Sequence, residues 1–117
     1  MLDMIDPSGA KIKLARETWE KHVLDPLTGH PEPRGYEKCV KWTVESPGLI
    51  VQSSRVPTAK VYLKLGVVPI QPRLYLKVPV NFYDDKYGEV STVMLTRSED
   101  LFQGSTGIGG IIYGRLK

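Results

Sequence analysis

The sequence changes its period at Pro47 and Gly48, and that change restricts the fold more than any other feature. Before it, apolar positions recur at helical spacing. Tyr36, Cys39, Val40, Thr43 and Val44 fall at i, i+3, i+4, i+7 and i+8, one stripe of an amphipathic helix. Glu37 and Lys41 add an i, i+4 charge pair on it. An earlier short helix is expected over Arg16 to Leu24, where Trp19 and Val23 share a face and Asp25 before Pro26 ends the turn. After Gly48 come four runs of β-branched and aromatic residues separated by Pro, Gly and Asp: Leu49 to Ser53, Ala59 to Leu65, Leu74 to Tyr83 and Glu89 to Arg97. Helices first and strands after is an α+β order. The short connections, Gly66 to Pro72 and Asp84 to Gly88, favour antiparallel hairpins.

The flanks carry weaker signals. Residues 1–9 read as a leader, and Ala10 to Leu14 alternates as a first strand or an extended lead-in. From Gln103 the chain is glycine-rich and reads as a turn or a mobile segment, with Ile111, Ile112 and Tyr113 offering a last short strand. At 117 residues, 41% hydrophobic and 25% charged, the whole chain, 1–117, is expected to form one globular domain. No apolar run approaches the roughly 20 residues of a membrane span. The start has neither the basic region nor the apolar stretch of a secretory signal. A lone cysteine, Cys39, excludes an internal disulfide framework and fits a reducing, cytoplasmic setting.

Sixteen Lys and Arg against thirteen Asp and Glu give a net charge of +3, which permits an anionic partner, so the distribution of charge decides. Alternation divides each strand into two faces. One set, Val61, Leu63 and Leu65 with Leu74, Leu76, Val78, Val80 and Phe82, is the expected core side, covered by Trp19, Val23, Tyr36, Cys39, Val40 and Val44. The other set, Lys60, Tyr62 and Lys64 with Tyr75, Lys77, Asn81 and Tyr83, interleaves ammonium groups with rings. Ammonium groups neutralise phosphates and rings stack on unpaired bases, so this face is expected to bind RNA. The competing reading is a solvated sheet face whose lysines protect edge strands. Val93 and Leu95 are assigned to the core, which sends Thr92, Met94 and Thr96 to the open face. Pro79 belongs at an edge or a bulge.

Several pieces carry a family resemblance: Trp19, Glu20, Lys21, His22 and Val23; His30, Pro31 and Glu32; a helix ending Thr43, Val44, Glu45, Ser46, Pro47 before Leu49 and Ile50; then Val61 and Tyr62, and Leu76, Lys77 and Val78. Together they resemble the phage-associated branch of the barnase, EndoU, colicin and RelE superfamily of ribonuclease-like domains. The chain departs from that pattern at Asp25 to Gly29, which break the first helix, and at Gly48, where such domains tend to have an acid. The resemblance implies two N-terminal helices packed on one face of a four-stranded, mainly antiparallel sheet. It places the site on the open face and around the first helix, and implies metal-independent RNA cleavage by some members. RNA, an inhibitor or immunity protein, or a larger phage protein are the partners this suggests, with no membrane. A catalytically inactive RNA- or protein-binding module is the alternative.

Cleavage of RNA by internal transfer needs a base for the 2′-hydroxyl, an acid for the leaving oxygen, and donors around the phosphate. His22 and His30, the only two histidines, are the acid/base candidates. Each has a structural counterpart: His22 as a ring holding its helix on the sheet, His30 as a turn residue beside Pro31. Arg55 and Lys60 are candidate phosphate clamps, and Tyr62 and Thr96 candidate donors to phosphate or nucleophile. Solvated loop charge and ordinary strand propensity are the competing explanations. Lys64, Tyr75, Lys77, Asn81 and Tyr83 complete the expected RNA-binding set. Glu32 reads as a cap or a partner for a base. The run from Gly104 to Gly110 lacks the Gly-Lys-Ser/Thr ending of a phosphate loop. Two histidines and one cysteine make no standard zinc set, so no metal or cofactor is expected. Cys39, on the apolar stripe, reads as an inert thiol.

Overall fold

The structure, a computed structural model, describes residues 2–20, 37–53, 56–68 and 72–97, and the backbone of 108–114. His22, His30 and Arg55 lie outside the described residues. So do Glu32 and most of the segment between the two expected helices.

The architecture is mostly β, which corrects the expectation of two helices on a four-stranded sheet. The strands are β1 (Leu2–Ile5), β2 (Lys11–Leu14), β3 (Leu49–Ser53), β4 (Ala59–Leu65), β5 (Tyr75–Asp84), β6 (Tyr87–Val90), β7 (Met94–Thr96) and β8 (Ile108–Gly114). They form one mixed sheet in the order β1-β2-β6-β5-β4-β3-β8, with β7 pairing to β5 off that path. All pairings are antiparallel except β2 with β6. Among the described residues the helices are two short ones, α1 (Arg16–Thr18) and α2 (Glu37–Glu45). None is long and apolar enough to cross a membrane.

Part of the segment read as a leader is sheet. Leu2 to Ile5 form a strand, and the hairpin to β2 closes through Asp6, whose Oδ1 accepts from the Ser8 N–H (2.9 Å), the Ser8 hydroxyl (2.7 Å) and the Ala10 N–H (2.9 Å). Gly9 takes φ +89° there, a conformation that a residue with a Cβ rarely adopts. The other Asp6 oxygen accepts from the Tyr62 hydroxyl at 2.5 Å. That bond brings the end of the edge hairpin against the middle of β4, three places away in the sheet, so the sheet must curl over its helix-bearing side.

The register of β4 on β5 also changes the expected faces. Tyr62 pairs with Val78, Lys60 with Val80 and Lys64 with Leu76, while Val61, Leu63 and Leu65 pair with Pro79, Lys77 and Tyr75. Directly paired residues point to the same side, so the lysine set of β4 lies on the side of the apolar set of β5. The single lysine and ring face expected from parity does not exist. Instead the helix side holds a core of Met4, Ile12, Leu14, Trp19, Val40, Val44, Ile50, Tyr62, Leu76, Val78, Val80 and Val90, with Val67, Val68 and Val93. A second cluster of Val51, Val61 and Leu63, packed by Leu49 and Tyr75, lies on the reverse side. Leu65, expected in the core, is 52% exposed.

The expected fourth strand, Glu89 to Arg97, is split into β6 and β7, and the break faces Pro79 of β5. The Pro79 carbonyl accepts from the Ser91 N–H at 3.0 Å. In an antiparallel ladder a residue's N–H and C=O point to the same neighbour, so the missing proline N–H falls on the β6 side, and pairing passes there from β6 to β7. Gly88 fixes the other end of this ladder. A Cβ there would lie 2.7 Å from Val80 Cγ1 and 3.3 Å from the Phe82 ring. Gly88→Ala is expected to lower stability by about 1–3 kcal/mol through overpacking, measured by urea denaturation. An unchanged midpoint would show that Phe82 swings away freely.

Candidate nucleic-acid interface

The described members of the expected site fall in four places. Tyr62 is buried in the core and spent on Asp6. Burial, then the bond to Asp6 and its charge, push the phenol far above its ordinary range, so it offers no proton to a substrate. Burial alone would raise Asp6, but hydrogen bonds from Tyr62, Ser8 and Ala10 outweigh it and hold the carboxyl below its usual value. A carboxyl lowered on folding stabilises the fold at pH above its unfolded value. That contribution is lost as the pH falls from about 4 through the lower folded value. Tyr62→Phe leaves the Asp6 oxygen short of a donor at a buried site, an expected loss of about 1–3 kcal/mol at neutral pH. The variant's deficit should shrink below pH 4 in acid denaturation curves; a constant deficit would mean that Asp6 is not the group involved.

Thr96, Tyr75 and Lys77 share the reverse side, because Thr96 pairs with Tyr75 and Met94 with Lys77. The Lys77 residue is only 4% exposed, and burial lowers its pKa. It packs on Leu63 and Met94 by register, not in the open. Thr96 is thus on the opposite side of the sheet from Lys60, and the two do not converge. Since a desolvated ammonium costs more than an apolar chain of similar length, Lys77→Met is expected to raise the thermal midpoint. A fall would show that the amine reaches solvent or a partner.

Lys60, Lys64, Asn81 and Tyr83 remain accessible. Lys60 ends the helix-side row of β4, its Nζ 4.6 Å from the centre of the Phe82 ring. It opens into a hollow of about 250 Å³ lined also by Pro57, Thr58, Tyr83, Asp84 and Asp85. Thr58 donates its hydroxyl to Asn81 Oδ1 at 2.7 Å across the rim. Tyr83, 71% exposed, donates to Glu89 Oε2 at 2.6 Å, and this bond raises its pKa. Among the described residues Lys60 has no hydrogen bond or ion pair, so its three donors are uncommitted.

Tyr83 and Asp84 also border a larger cleft of about 930 Å³ on the outer side of β1, β2 and β6. Parity did not reveal this cleft because two of its three strands, β1 and β6, were not read as separate strands. Its register rows differ in kind. One runs Asp3, Lys13, Glu89 and Asn81, with alternating charge; the next runs Ile5, Lys11 and Tyr87, with Ile5 55% and Tyr87 50% exposed. Lys11 Nζ lies 5.9 Å from the Tyr87 ring. Asp84 Oδ1 is occupied by the turn N–H groups of Lys86 and Tyr87. Glu45 Oε2 accepts from the Ile5 N–H.

Lys64 is held elsewhere. Its Nζ donates to the Ser46 carbonyl at 2.5 Å and sits 5.0 Å from the Trp42 ring centre. Cys39 donates its thiol to the Val67 carbonyl at 3.2 Å, and burial raises it, which suits a packing role. Comparison with known proteins adds no relative: no family model, no curated protein and no solved structure matches the chain significantly.

Proposed function

We propose that the chain is an RNA-directed domain of the ribonuclease-toxin type, a metal-independent endoribonuclease acting by general acid/base transesterification in the cytoplasm. The observation that carries this reading is Lys60: an ammonium with free donors beside a ring, in a hollow that adjoins the exposed Tyr83 and the longer cleft with Lys11 and Lys13. A phosphate in the hollow would be met by the Lys60 point charge, opposed by Asp85 and by Asp84, whose Oδ1 is engaged by its own turn, and a neighbouring base would meet an exposed ring. The residue resemblance around Trp19 to His22 supplies the acid/base candidates. Trp19 itself, 3% exposed, packs in the core. Tyr62, Lys77 and Thr96 are dropped from this reading. His22 and His30 are kept as acid and base, with Arg55 and Lys60 around the phosphate.

The inactive module is the second reading, favoured by the commitment of Tyr62 to Asp6. The two separate in one assay. Purified protein incubated with mixed RNA in chelator should cut it. His22→Ala should lower the rate by about 10² to 10⁴-fold, and Lys60→Ala should weaken it without altering the thermal midpoint. Salt-sensitive binding with no cleavage would establish the module instead. Binding indifferent to salt would defeat both.

A further inference from the structure

We infer that Trp42, flanked by Lys38 and Lys64, is a stacking anchor for one unpaired base of the RNA, on the outside of α2 and separate from the Lys60 hollow. The inference rests on the RNA reading and names the form of nucleic acid taken: a strand with unstacked bases.

Tryptophan is the largest apolar side chain and is normally drawn inside. The chain has two, and they are treated oppositely: Trp19 is 3% exposed, whereas Trp42 is 53% exposed. Nothing in the packing of α2 requires a ring at this position. Val40, Thr43 and Val44 are the residues that the helix buries. Trp42 stands one helical turn beyond Lys38, and both are exposed. Lys64 Nζ lies over the indole and is fixed by the Ser46 carbonyl, so the ring is braced by β4 while the residue stays half exposed. A braced, exposed indole with two ammonium groups beside it has the parts that single strands use: a π-face for a base and cations for the flanking phosphates. Of the helix's acids, Glu45 lies at i+3 from Trp42 and so borders this stripe, but its Oε2 is engaged by the Ile5 N–H, and Glu37 lies at i−4 from Lys41. A paired duplex hides its base faces and cannot use such an anchor.

Trp42 also reports on itself. Titration of the full chain with a short oligouridylate should quench the solvent-exposed part of the tryptophan emission, whereas inorganic polyphosphate, a polyanion without bases, should not. Trp42→Ala should abolish the quench and weaken the unpaired probe by about tenfold, within the range set by loss of one stacked base. Trp42→Phe should recover part of the affinity. Lys38→Met should reduce the dependence of log affinity on log salt by about 0.7, as for one phosphate contact on a single strand. A blunt-ended duplex without a loop should bind Trp42→Ala and the original chain alike. If the original chain binds oligouridylate in a salt-dependent way but Trp42→Ala binds it equally well, the anchor is refuted while the RNA reading stands. If polyphosphate quenches as strongly as oligouridylate, stacking is refuted. If the original chain binds neither nucleic acid, the RNA reading itself falls, and the anchor with it.

Discussion

The pairing of Tyr62 with Val78 is the constraint on which the rest of the molecule depends. It decides which half of β4 meets the helices, and it aims a phenol along the curl of the sheet to the Asp6 carboxylate. A slip of one residue would turn Tyr62 outward and bring Val61 and Leu63 onto the helix side. The hairpin of β1 and β2 would then lose the only side-chain bond described between its turn and β4. The bond is costly to form, since it buries a carboxylate, and it is stable because that carboxylate has donors from its own turn as well. One aspartate thereby closes a hairpin and ties it to the centre of the sheet.

This register explains why the accessible groups lie where they do. Lys60 and Lys64 are at opposite ends of the helix-side row of β4, where the core stops, and each holds its ammonium over a ring, Phe82 for one and Trp42 for the other. Between them Tyr62 is sealed. The middle of the strand serves packing and its two ends serve the surface, which divides cationic groups between a hollow and a helix flank.

Much of the strand content was legible. The runs Leu49 to Ser53 and Ala59 to Leu65 coincide with β3 and β4, because Pro, Gly and loop residues bracket β-branched runs, and β5 is displaced by only one residue at each end. Parity within β4 also holds: Lys60, Tyr62 and Lys64 share a side. What alternation cannot supply is which side of one strand joins which side of the next. Here both sides of β4 and β5 bury apolar residues, so hydrophobicity did not distinguish them. Lysine was read as a sign of solvent, and Lys77 shows a lysine that is buried. β1 and β2 are four residues each and carry Asp3, Lys11 and Lys13 on their outer side, too short and too polar for a confident period. The last short strand expected at Ile111 to Tyr113 lies within β8, whose earlier start at Ile108 is hidden in the sequence by Gly109 and Gly110.

The parallel seam between β2 and β6 has a consequence for how the chain assembles. It joins Lys11 to Tyr87 and Lys13 to Glu89, so the first hairpin cannot find its neighbour until nearly the whole intervening polypeptide has been made. During synthesis β1 and β2 leave the ribosome early and wait with one ladder edge unsatisfied. Non-local closure of this kind slows folding. The outward lysines of β2 give that waiting edge charge, which discourages it from recruiting the wrong strand in the meantime.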